Sequence, residues 1–308
     1  MAYTPDQVDR YLQHIDFPPS KHPPDALQRL TQLVARQVAR VPFESFALHY
    51  SQHKRLSLDP EALFEKIVVH GKGGYCMELN AFFGGMMRGL GYRVLNAGGR
   101  VKTPAGYTGC TADSFSRIYR SHMVNIVTIG DTRYNVDVGF GSHEPMRPIP
   151  LRHNYTFTQI APREGRLEHR SVSQHTDASQ RVWVYSTRED ASAPWEERNM
   201  FVETEFFRAD YEAMNLSTMS AATSFFVQNV IGMRAVLDAA GDVAGVYTLF
   251  GNRIKRHMRH AEAEVVAELA DEDARVRAID EYFGVKLTAL EARGIRGLAT
   301  ELRDKRTE

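Results

Sequence analysis

The chain has 308 residues, and its 38 lysines and arginines are matched by 38 aspartates and glutamates, so its formal net charge is zero. That balance argues against nucleic acid or an anionic membrane as the main partner, since both are recognised through an excess of positive charge. A chain of this length buries a sizeable core and is predicted to form two or three domains.

Only two cysteines are present, Cys76 and Cys110, which excludes a disulfide framework. A single bridge between them stays open but is disfavoured in a reducing compartment. The N-terminus is polar and lacks a signal-peptide pattern, and no apolar run approaches the length of a membrane span. We therefore predict a cytoplasmic protein with no membrane partner.

Residues 1–91 are predicted to form a helical bundle. N-cap signals precede three apolar-periodic runs, at Thr4-Pro5-Asp6, at Asp25 and at Asp59-Pro60-Glu61. A fourth run begins at Cys76, and its apolar residues recur every three or four positions, as on the buried stripe of an amphipathic helix. They are Leu79, Phe82, Phe83, Met86 and Leu90.

Residues 92–207 are predicted to form an antiparallel β-barrel, because short strand-like runs alternate with turn residues. The clearest signal is a hairpin, with strands at 123–129 and 134–140 around the turn pair Gly130-Asp131. Residues 102–119 are rich in Thr, Gly and Ser and are predicted to form a long loop, a feature that is often functional.

Residues 208–308 contain both helix-like and strand-like patterns and are predicted to form an α/β lid. Strands are expected at 225–227 and 246–249, and a single long helix at 262–283. The fold class expected for the whole chain is therefore an α+β multidomain protein, with an N-terminal helical bundle, a central antiparallel β-barrel and a C-terminal α/β lid.

Cys76 is the candidate nucleophile. It lies at the predicted first turn of a helix, where free backbone N–H groups and the helix dipole favour the thiolate. Gly73 and Gly74 are expected to let the backbone turn tightly and to leave the sulfur approachable. The alternative is that Cys76 is a small buried hydrophobe, which is the commoner fate of a free cysteine.

A catalytic cysteine needs a base and a group that orients the base, and the hairpin offers both. With Gly130-Asp131 as the turn, the register makes His122 and Asp137 diagonal neighbours on one face of the hairpin. Asp137 lies between two valines and is expected to be at least partly buried, where its carboxylate needs a partner such as an imidazole. A purely structural pair of His and Asp is the alternative.

Four motifs follow one another along the chain. They are Arg40-Val41-Pro42-Phe43-Glu44, Gly73-Gly74-Tyr75-Cys76-Met77-Glu78-Leu79-Asn80, Ser121-His122-Met123-Val124 and Val136-Asp137-Val138-Gly139-Phe140-Gly141. Together, and in this order, they resemble the arylamine N-acetyltransferase family. The resemblance runs from about Asp6 to Gly284 and has weaker support after Gly141.

The resemblance implies a papain-like Cys-His-Asp site and a ping-pong reaction of xenobiotic metabolism. In that reaction an acetyl group passes from acetyl-CoA to an arylamine, arylhydrazine or N-hydroxyarylamine. Residue by residue, Cys76 falls on the nucleophile, His122 on its base and Asp137 on the orienting carboxylate. No permanently bound cofactor and no metal is expected, and malonyl- or propionyl-CoA stay open as alternative donors.

Other functional positions carry over by the same resemblance or by their chemistry. The residues expected at the acceptor pocket are Phe43, Tyr75 and Phe140, those expected to support the cysteine loop are Glu44, Lys72, Gly73 and Gly74, and those expected at CoA are Ser121, Thr223 and Ser224. At position 72 the family usually has arginine, whereas this chain has lysine. Lysine keeps the positive charge but lacks the bidentate fork to a carboxylate such as Glu44.

Two other functions stay open from the sequence alone. A thiol hydrolase or a transglutaminase-like enzyme would use the same three residues with water or another amine, and a non-catalytic relative would bind CoA or an aromatic ligand. The intact Cys76, His122 and Asp137 argue against the non-catalytic protein. The basic run at 253–260 is interpreted as a solvated face, and Cys110 as an incidental thiol.

Overall fold

The structure is a computed structural model, and it describes residues 2–104, 106–107 and 121–303. Within those ranges, no helix is both long enough and apolar enough to cross a membrane. Most of the predicted loop at 102–119, including Cys110, lies outside the described residues, as does the Cys76–Cys110 bridge that the sequence left open.

The first ninety residues are mainly helical, as their periodicity predicted. They form α1 (Pro5–His14), α2 (Ala26–Arg40), the short strand β1 (Phe43–Glu44), α3 (Phe46–Tyr50), α4 (Pro60–Phe64) and α5 (Cys76–Gly89). The predicted helix starts are confirmed, because Thr4, Asp25 and Asp59 each accept a hydrogen bond from a backbone N–H in the first turn of a helix. A π-helical turn at Glu65–Val69 continues α4 towards the loop that carries Cys76.

The middle of the chain forms one antiparallel sheet, as predicted. Its described strands are β2 (Arg93–Thr103), β3 (Gly106–Tyr107), β4 (Ser121–Ile129), β5 (Thr132–Val136), β6 (Ile149–Pro150), β7 (Tyr155–Thr158), β8 (Glu164–Arg170), β9 (Val182–Arg188) and β10 (Glu196–Glu205). Their order is β6-β5-β4-β2-β10-β9-β8-β7, with β3 attached to β2. The sheet curls into a nearly closed barrel, since Ile149 at one end and Phe157 at the other pack into the same buried cluster.

The last third of the chain forms a second antiparallel sheet with helices around it. The elements are α6 (Arg208–Ser220), α7 (Phe225–Gln228), β11 (Ile231–Leu237), β12 (Val243–Phe250), β13 (Arg253–Met258), β14 (Glu264–Glu268), α8 (Glu272–Phe283) and α9 (Ala289–Ala292). The strand order is β1-β11-β12-β13-β14, so β1 from the N-terminal part forms one edge of this sheet. Phe43 is paired with Met233, and Glu44 with Gly232.

Two secondary-structure predictions for the last third are wrong. The helix expected at 262–283 begins only at Glu272, because the side chain of Asp271 caps it and accepts from the N–H of Ala274 at 2.8 Å. The preceding residues form β14 instead, and their backbone groups pair with β13. The strand expected at 225–227 is the short helix α7, in which the carbonyl of Ser224 accepts from the N–H of Gln228 at 2.9 Å.

The hairpin of β4 and β5 has the predicted register but a shorter second strand. Ile129 pairs with Thr132 around the predicted turn, yet β5 ends at Val136, so the prediction that Asp137 lies within a strand is wrong. The carboxylate of Asp137 accepts from the N–H of Gly139 at 3.0 Å. This local bond competes with strand pairing and turns the chain away from β4.

Helix α5 packs against β2 and β4, and this contact brings the cysteine to the barrel. A glycine permits the close approach, because a Cβ on Gly84 would lie 2.5 Å from the side-chain oxygen of Asn125 and 3.0 Å from the side-chain nitrogen of Asn96. The two asparagines therefore lie between helix and sheet, with Asn125 buried and Asn96 half-buried.

Candidate active site

Cys76 is the first residue of α5 and lines a cavity of about 180 Å³. The residue is 5% exposed, so the sulfur is buried in the fold yet reachable from the cavity. Backbone N–H groups in the first turn of a helix have no partner within the helix, and the dipole there is positive. The position suits a thiolate and, later, an oxyanion beside it.

Gly73 and Gly74 precede the cysteine for a reason that differs from the predicted one. Neither has a positive φ, so no tight turn requires them. A Cβ on Gly73 would lie 1.9 Å from the carbonyl oxygen of Pro42, and a Cβ on Gly74 would lie 2.8 Å from Oε2 of Glu78. The carbonyl of Gly74 also accepts from the N–H of Glu44 at 2.8 Å. Glycine is needed because the loop is pressed against β1 on one side and Glu78 on the other.

His122 lies in β4 and reaches both Cys76 and Asp137. Its Nε2 is 2.6 Å from Oδ2 of Asp137, and both residues are 1% exposed. The imidazole is also hydrogen-bonded to the side chain of Cys76. Burial alone disfavours the charged ring, but the Asp137 carboxylate and the bond to Cys76 outweigh it and raise the pKa of His122 to about 10. The ring is therefore an imidazolium at neutral pH.

Asn80, one turn along α5 from Cys76, holds the far side of the Asp137 carboxylate. Its Nδ2 donates to Oδ1 of Asp137 at 2.9 Å and to the carbonyl of Met123 at 2.7 Å, and its Oδ1 accepts from the N–H of Val138 at 3.2 Å. The oxygen of Asp137 that faces away from His122 is thus satisfied, so the carboxylate cannot rotate without breaking bonds.

Lys72 was expected to support the cysteine loop, but Lys66 is the lysine that lies beside the buried carboxylates there. Lys66 donates to Oε1 of Glu78 at 2.7 Å and lies 4.0 Å from Oε1 of Glu44, and these two carboxylates are 1% and 2% exposed. Lys72 instead pairs with Glu291 of α9. The expected Lys72–Glu44 contact is therefore absent among the described residues, and Lys66 neutralises the buried carboxylates beside the cysteine loop.

Glu44 supports the loop as expected, although mainly through its backbone and its own turn. Its N–H donates to Gly74, and its carboxylate accepts from the N–H of Phe46. Burial raises the pKa of Glu44, while Lys66 acts to lower it. The carboxyl group therefore depends on Lys66 for its charge.

The cavity beside Cys76 is apolar and largely aromatic. Its lining residues are Phe43, Cys76, Val101, His122, Gly139, Phe140, Phe225, Phe226 and Ile231. Phe43 and Phe140 lie where the sequence placed them, and the Phe140 ring meets the His122 ring edge-on at a centroid distance of 5.1 Å. Flat walls of this kind suit a planar aromatic ligand.

Tyr75 does not line this cavity, contrary to the prediction. It is fully buried, and its hydroxyl donates to the side-chain oxygen of Asn215. Its ring meets Phe226 edge-on at a centroid distance of 5.1 Å, so Tyr75 supports a lining residue from behind. The hydroxyl explains the difference, since a buried phenol is held where it finds a polar partner.

Of the residues expected at CoA, the two whose side chains are described, Thr223 and Ser224, do not line the cavity. Thr223 is exposed and Ser224 is buried directly before α7, whose first residue Phe225 lines the cavity. The side chain of Ser121 lies outside the described residues, and only its backbone pairing with Arg100 is seen. Contacts of these three residues with CoA stay a prediction.

Several site residues escaped the sequence analysis. Glu144 is fully buried and accepts from the N–H of Phe140 at 3.1 Å; burial and the nearby Asp137 raise its pKa well above the usual range. Phe226 was predicted to lie in a strand, and Lys66 was not among the predicted site residues. The motif that contains Asn80 gave the one available signal, because a polar amide interrupts the apolar stripe of α5.

Among the described residues, no group of three or more His, Cys, Asp or Glu side chains is arranged to hold a metal ion. The chemistry that the arrangement supports is that of a thiol next to an imidazolium, with the ring held by a carboxylate. Such a constellation forms covalent acyl intermediates on sulfur.

Comparison with known proteins places the chain in a family. A family model described as N-acetyltransferase matches residues 26–292. The N-malonyltransferase FDB2 of Fusarium pseudograminearum is 36% identical over 280 residues, which cover 87% of this chain and 81% of that protein. The residues matched by the family model include the cysteine loop, the barrel and the whole second sheet.

Solved structures agree with this placement. The arylamine N-acetyltransferase of Nocardia farcinica is 25% identical, with a TM-score of 0.77 over 98% of this chain and 99% of that one. The Mycobacterium marinum arylamine N-acetyltransferase in complex with CoA is 24% identical and shares the fold, with a TM-score of 0.74 over 94% of this chain and 98% of that one. The chain therefore belongs to the arylamine N-acetyltransferase family of acyltransferases.

Proposed function

We propose that the protein transfers a short acyl group from an acyl-CoA to the nitrogen of an amine, through a thioester on Cys76. The observation that carries the proposal is the contact of His122 with both Cys76 and Asp137 inside an aromatic cavity. Family membership supports the reaction type, and the CoA complex of the M. marinum relative supports the donor class.

In the first half-reaction the Cys76 thiolate attacks the thioester carbonyl of the acyl-CoA. The C–S bond to CoA breaks, and His122 gives its proton to the departing CoA thiolate, which leaves a neutral imidazole. One thioester replaces another, so the step is nearly balanced and depends mainly on position. Backbone N–H groups at the start of α5 are suited to stabilise the tetrahedral oxyanion.

In the second half-reaction the amine attacks the carbonyl of acyl-Cys76. The neutral His122 accepts the amine proton, the bond from carbon to sulfur breaks, and the thiolate and imidazolium are restored. Asp137 orients the ring throughout and stabilises its charged form. Phe140, Phe226 and Phe43 offer flat apolar surfaces, which favour arylamines, arylhydrazines and N-hydroxyarylamines as acceptors.

The relatives differ in the acyl group that their names specify. Acetyl-CoA is the donor expected for the family, whereas the relative in F. pseudograminearum is an N-malonyltransferase. We propose that the cavity accepts a short acyl chain, with malonyl-CoA as the preferred donor on the strength of that relative. The preference is set by the ratio of kcat/KM for the competing donors.

Intact-mass analysis tests the proposal directly. After incubation with malonyl-, acetyl- or propionyl-CoA in turn, we expect one acyl increment, located on Cys76 by peptide mapping and discharged by an aryl hydrazine. A protein that gains no increment from any donor, and whose turnover survives Cys76→Ala, would refute acyl transfer through this residue. Loss of the increment to water at a rate that amines do not change would instead identify a thiol hydrolase.

A further inference from the structure

A second cavity, of about 280 Å³, lies among the residues before α1 and the elements α4, α5, β2, β4, β10 and α6, and none of its described lining residues lines the cavity at Cys76. We name it the Arg88 cavity. Its apolar walls are formed by Leu58, Leu63, Met123, Phe206 and Phe207. Its polar lining includes Arg88, Asn96, Glu205, Arg208 and the hydroxyl-bearing Tyr211.

Tyr211 brings an unused hydrogen-bond donor to this cavity. The residue is only 4% exposed, and its hydroxyl has no hydrogen-bond partner within the described part of the chain. Burial keeps the pKa of Tyr211 far above its usual value, so the hydroxyl stays protonated. A buried polar group without a partner costs free energy, which a bound acceptor would recover.

Arg88 brings further donors. Its Nη2 donates to the carbonyl of Val94 at 3.2 Å and to the side-chain oxygen of Asn96 at 2.5 Å, which leaves the other N–H groups of the guanidinium. Glu205 acts on Arg88 at longer range, and no carboxylate of the described residues forms an ion pair with it. The half-buried Arg88 therefore lines the cavity without a carboxylate of the described residues in contact with it.

We propose that the Arg88 cavity binds a small aromatic carboxylate. The carboxylate oxygens would accept from Arg88 and Tyr211, and the ring would lie between Met123 and Phe206. Arg88 can only donate, and the Tyr211 hydroxyl can donate as well as accept, so an acceptor such as a carboxylate would satisfy both groups. The exposed carboxylate of Glu205 lines the same cavity, so a monoanion is preferred over a dianion such as phosphate.

A chain of hydrogen bonds links this cavity to the triad. The side-chain oxygen of Asn96 accepts from Arg88, and its nitrogen donates to Asn125 at 2.6 Å. Asn125 in turn donates to the side-chain oxygen of Asn80 at 3.2 Å, and Asn80 donates to Asp137 at 2.9 Å. A carboxylate that binds the remaining N–H groups of Arg88 would leave this chain of hydrogen bonds intact.

The binding experiment follows one methyl group in the cavity. Met123 lines the Arg88 cavity, whereas no methionine lines the cavity at Cys76. We would block Cys76 with iodoacetamide, label the methionine methyl groups with carbon-13, assign Met123 through Met123→Leu, and titrate with benzoate. Saturable movement of the Met123 signal is expected, and benzamide should bind about tenfold more weakly, the loss expected for a charged hydrogen bond.

Variants separate the proposed contacts from indirect effects. Tyr211→Phe removes only an unpartnered hydroxyl and should fold normally, yet weaken benzoate by about tenfold. Arg88→Gln should abolish saturation, while Arg208→Gln, which alters a lining arginine already paired with Glu212 and Asp59, should leave affinity within about twofold. Shifts linear in benzoate, or equal titrations for wild type and Tyr211→Phe, overturn the proposal. Because binding is read without turnover, this outcome is independent of the acyl-transfer proposal.

Discussion

Asn80 donates a hydrogen bond of 2.9 Å to Oδ1 of Asp137, while His122 lies 2.6 Å from Oδ2 of the same carboxylate. The carboxylate that we propose orients His122 is therefore itself held from α5, the helix that carries Cys76. This bond joins α5 to the barrel at the triad, and it explains why a short amide stands on an otherwise apolar face.

Replacing Asn80 by alanine should cost both stability and activity. The change removes the side chain that bonds to the buried carbonyl of Met123 and to the N–H of Val138, so both backbone groups lose this partner. An orphaned buried group costs about 1–3 kcal/mol, so we expect a loss of roughly 2–4 kcal/mol in urea unfolding. Asn80→Asp keeps the size of the side chain but places two carboxylates together. We expect its acyl loading to fall further than the loss of folded protein alone would explain. Wild-type loading in either variant would show that Asp137 needs no such support.

The charge of His122 makes stability depend on pH. Its pKa rises from 6.5 in the unfolded chain to about 10 in the folded protein, so the folded state binds this proton more tightly. The stabilisation is fully present below pH 6.5 and is lost as the pH rises through about 10. Asp137→Asn removes the main favourable charge, and burial should then lower the pKa of His122.

Histidine NMR and urea unfolding measure this effect together. In the wild type the His122 ring should remain an imidazolium at neutral pH, whereas in Asp137→Asn it should be neutral there. The unfolding free energy of the variant should fall furthest below the wild type at acid and neutral pH and approach it near pH 10. A His122 ring that titrates near 6.5 in both proteins would contradict the assignment.

Gly139 allows the segment after Asp137 to touch the nucleophile helix. A Cβ at this position would lie 2.8 Å from the Cα of Cys76 and 3.0 Å from Nδ2 of Asn80. Gly139→Ala should therefore push the barrel away from α5 and slow alkylation of Cys76 by iodoacetamide by at least about tenfold, because small misplacements are costly in such sites. Gly130→Asn is the matched control, since Gly130 has φ +57 and nothing within 4 Å. Equal alkylation rates in the two variants would show that the close approach of Gly139 to α5 does not position Cys76.

Lys66 and Lys72 should differ sharply when each is replaced by methionine. Lys66→Met leaves Glu44 and Glu78 buried side by side without a cation, a change expected to cost about 3–5 kcal/mol. Lys72→Met breaks a pair with Glu291 in which both side chains are about one-fifth exposed, so the expected cost is only about 1 kcal/mol. Thermal and urea unfolding of both variants provide the comparison. Equal losses would mean that Lys66 is not the main cation that balances the buried carboxylates.

Phe226 should govern the choice of acceptor more than the acylation of Cys76. Its ring lines the cavity and rests on Tyr75, so Phe226→Ala removes a flat wall without touching the triad. We expect KM for an arylamine to rise about tenfold or more, while the rate of the first half-reaction changes little. Tyr75→Phe, which keeps the ring but loses the bond to Asn215, serves as a milder companion. A large loss in acyl loading with unchanged KM would assign Phe226 to the donor side.

The parts of the site that could be predicted are those governed by local pattern. The periodicity after Cys76 located α5, and the Gly130-Asp131 turn set the register that brings His122 close to Asp137. Even there, β5 stops one residue before Asp137, because the carboxylate bonds to its own chain. The predicted contact between His122 and Asp137 is nevertheless present, since it requires only that the two side chains lie close together and not that Asp137 pairs within a strand.

The parts that escaped prediction depend on contacts between distant segments. Lys66 meets Glu44 because a π-helical turn and β1 converge, and no spacing in the sequence records this. The apolar periodicity of residues 264–268 also fits a helix. These residues form a strand because their backbone groups pair with β13. Phe226 joins the site only after α7 forms beside Phe43.

Strand β1 has a consequence for how the enzyme is made. A nascent chain that has left the ribosome through residue 207 already contains Cys76, His122 and Asp137. It lacks β11, to which β1 is paired, and Glu291, which holds Lys72 of the cysteine loop. The walls from Phe225, Phe226 and Ile231 are missing as well. In the order of synthesis, therefore, the cavity beside Cys76 is complete only after the last portion of the chain has been made, and fragments that end at residue 207 lack these walls.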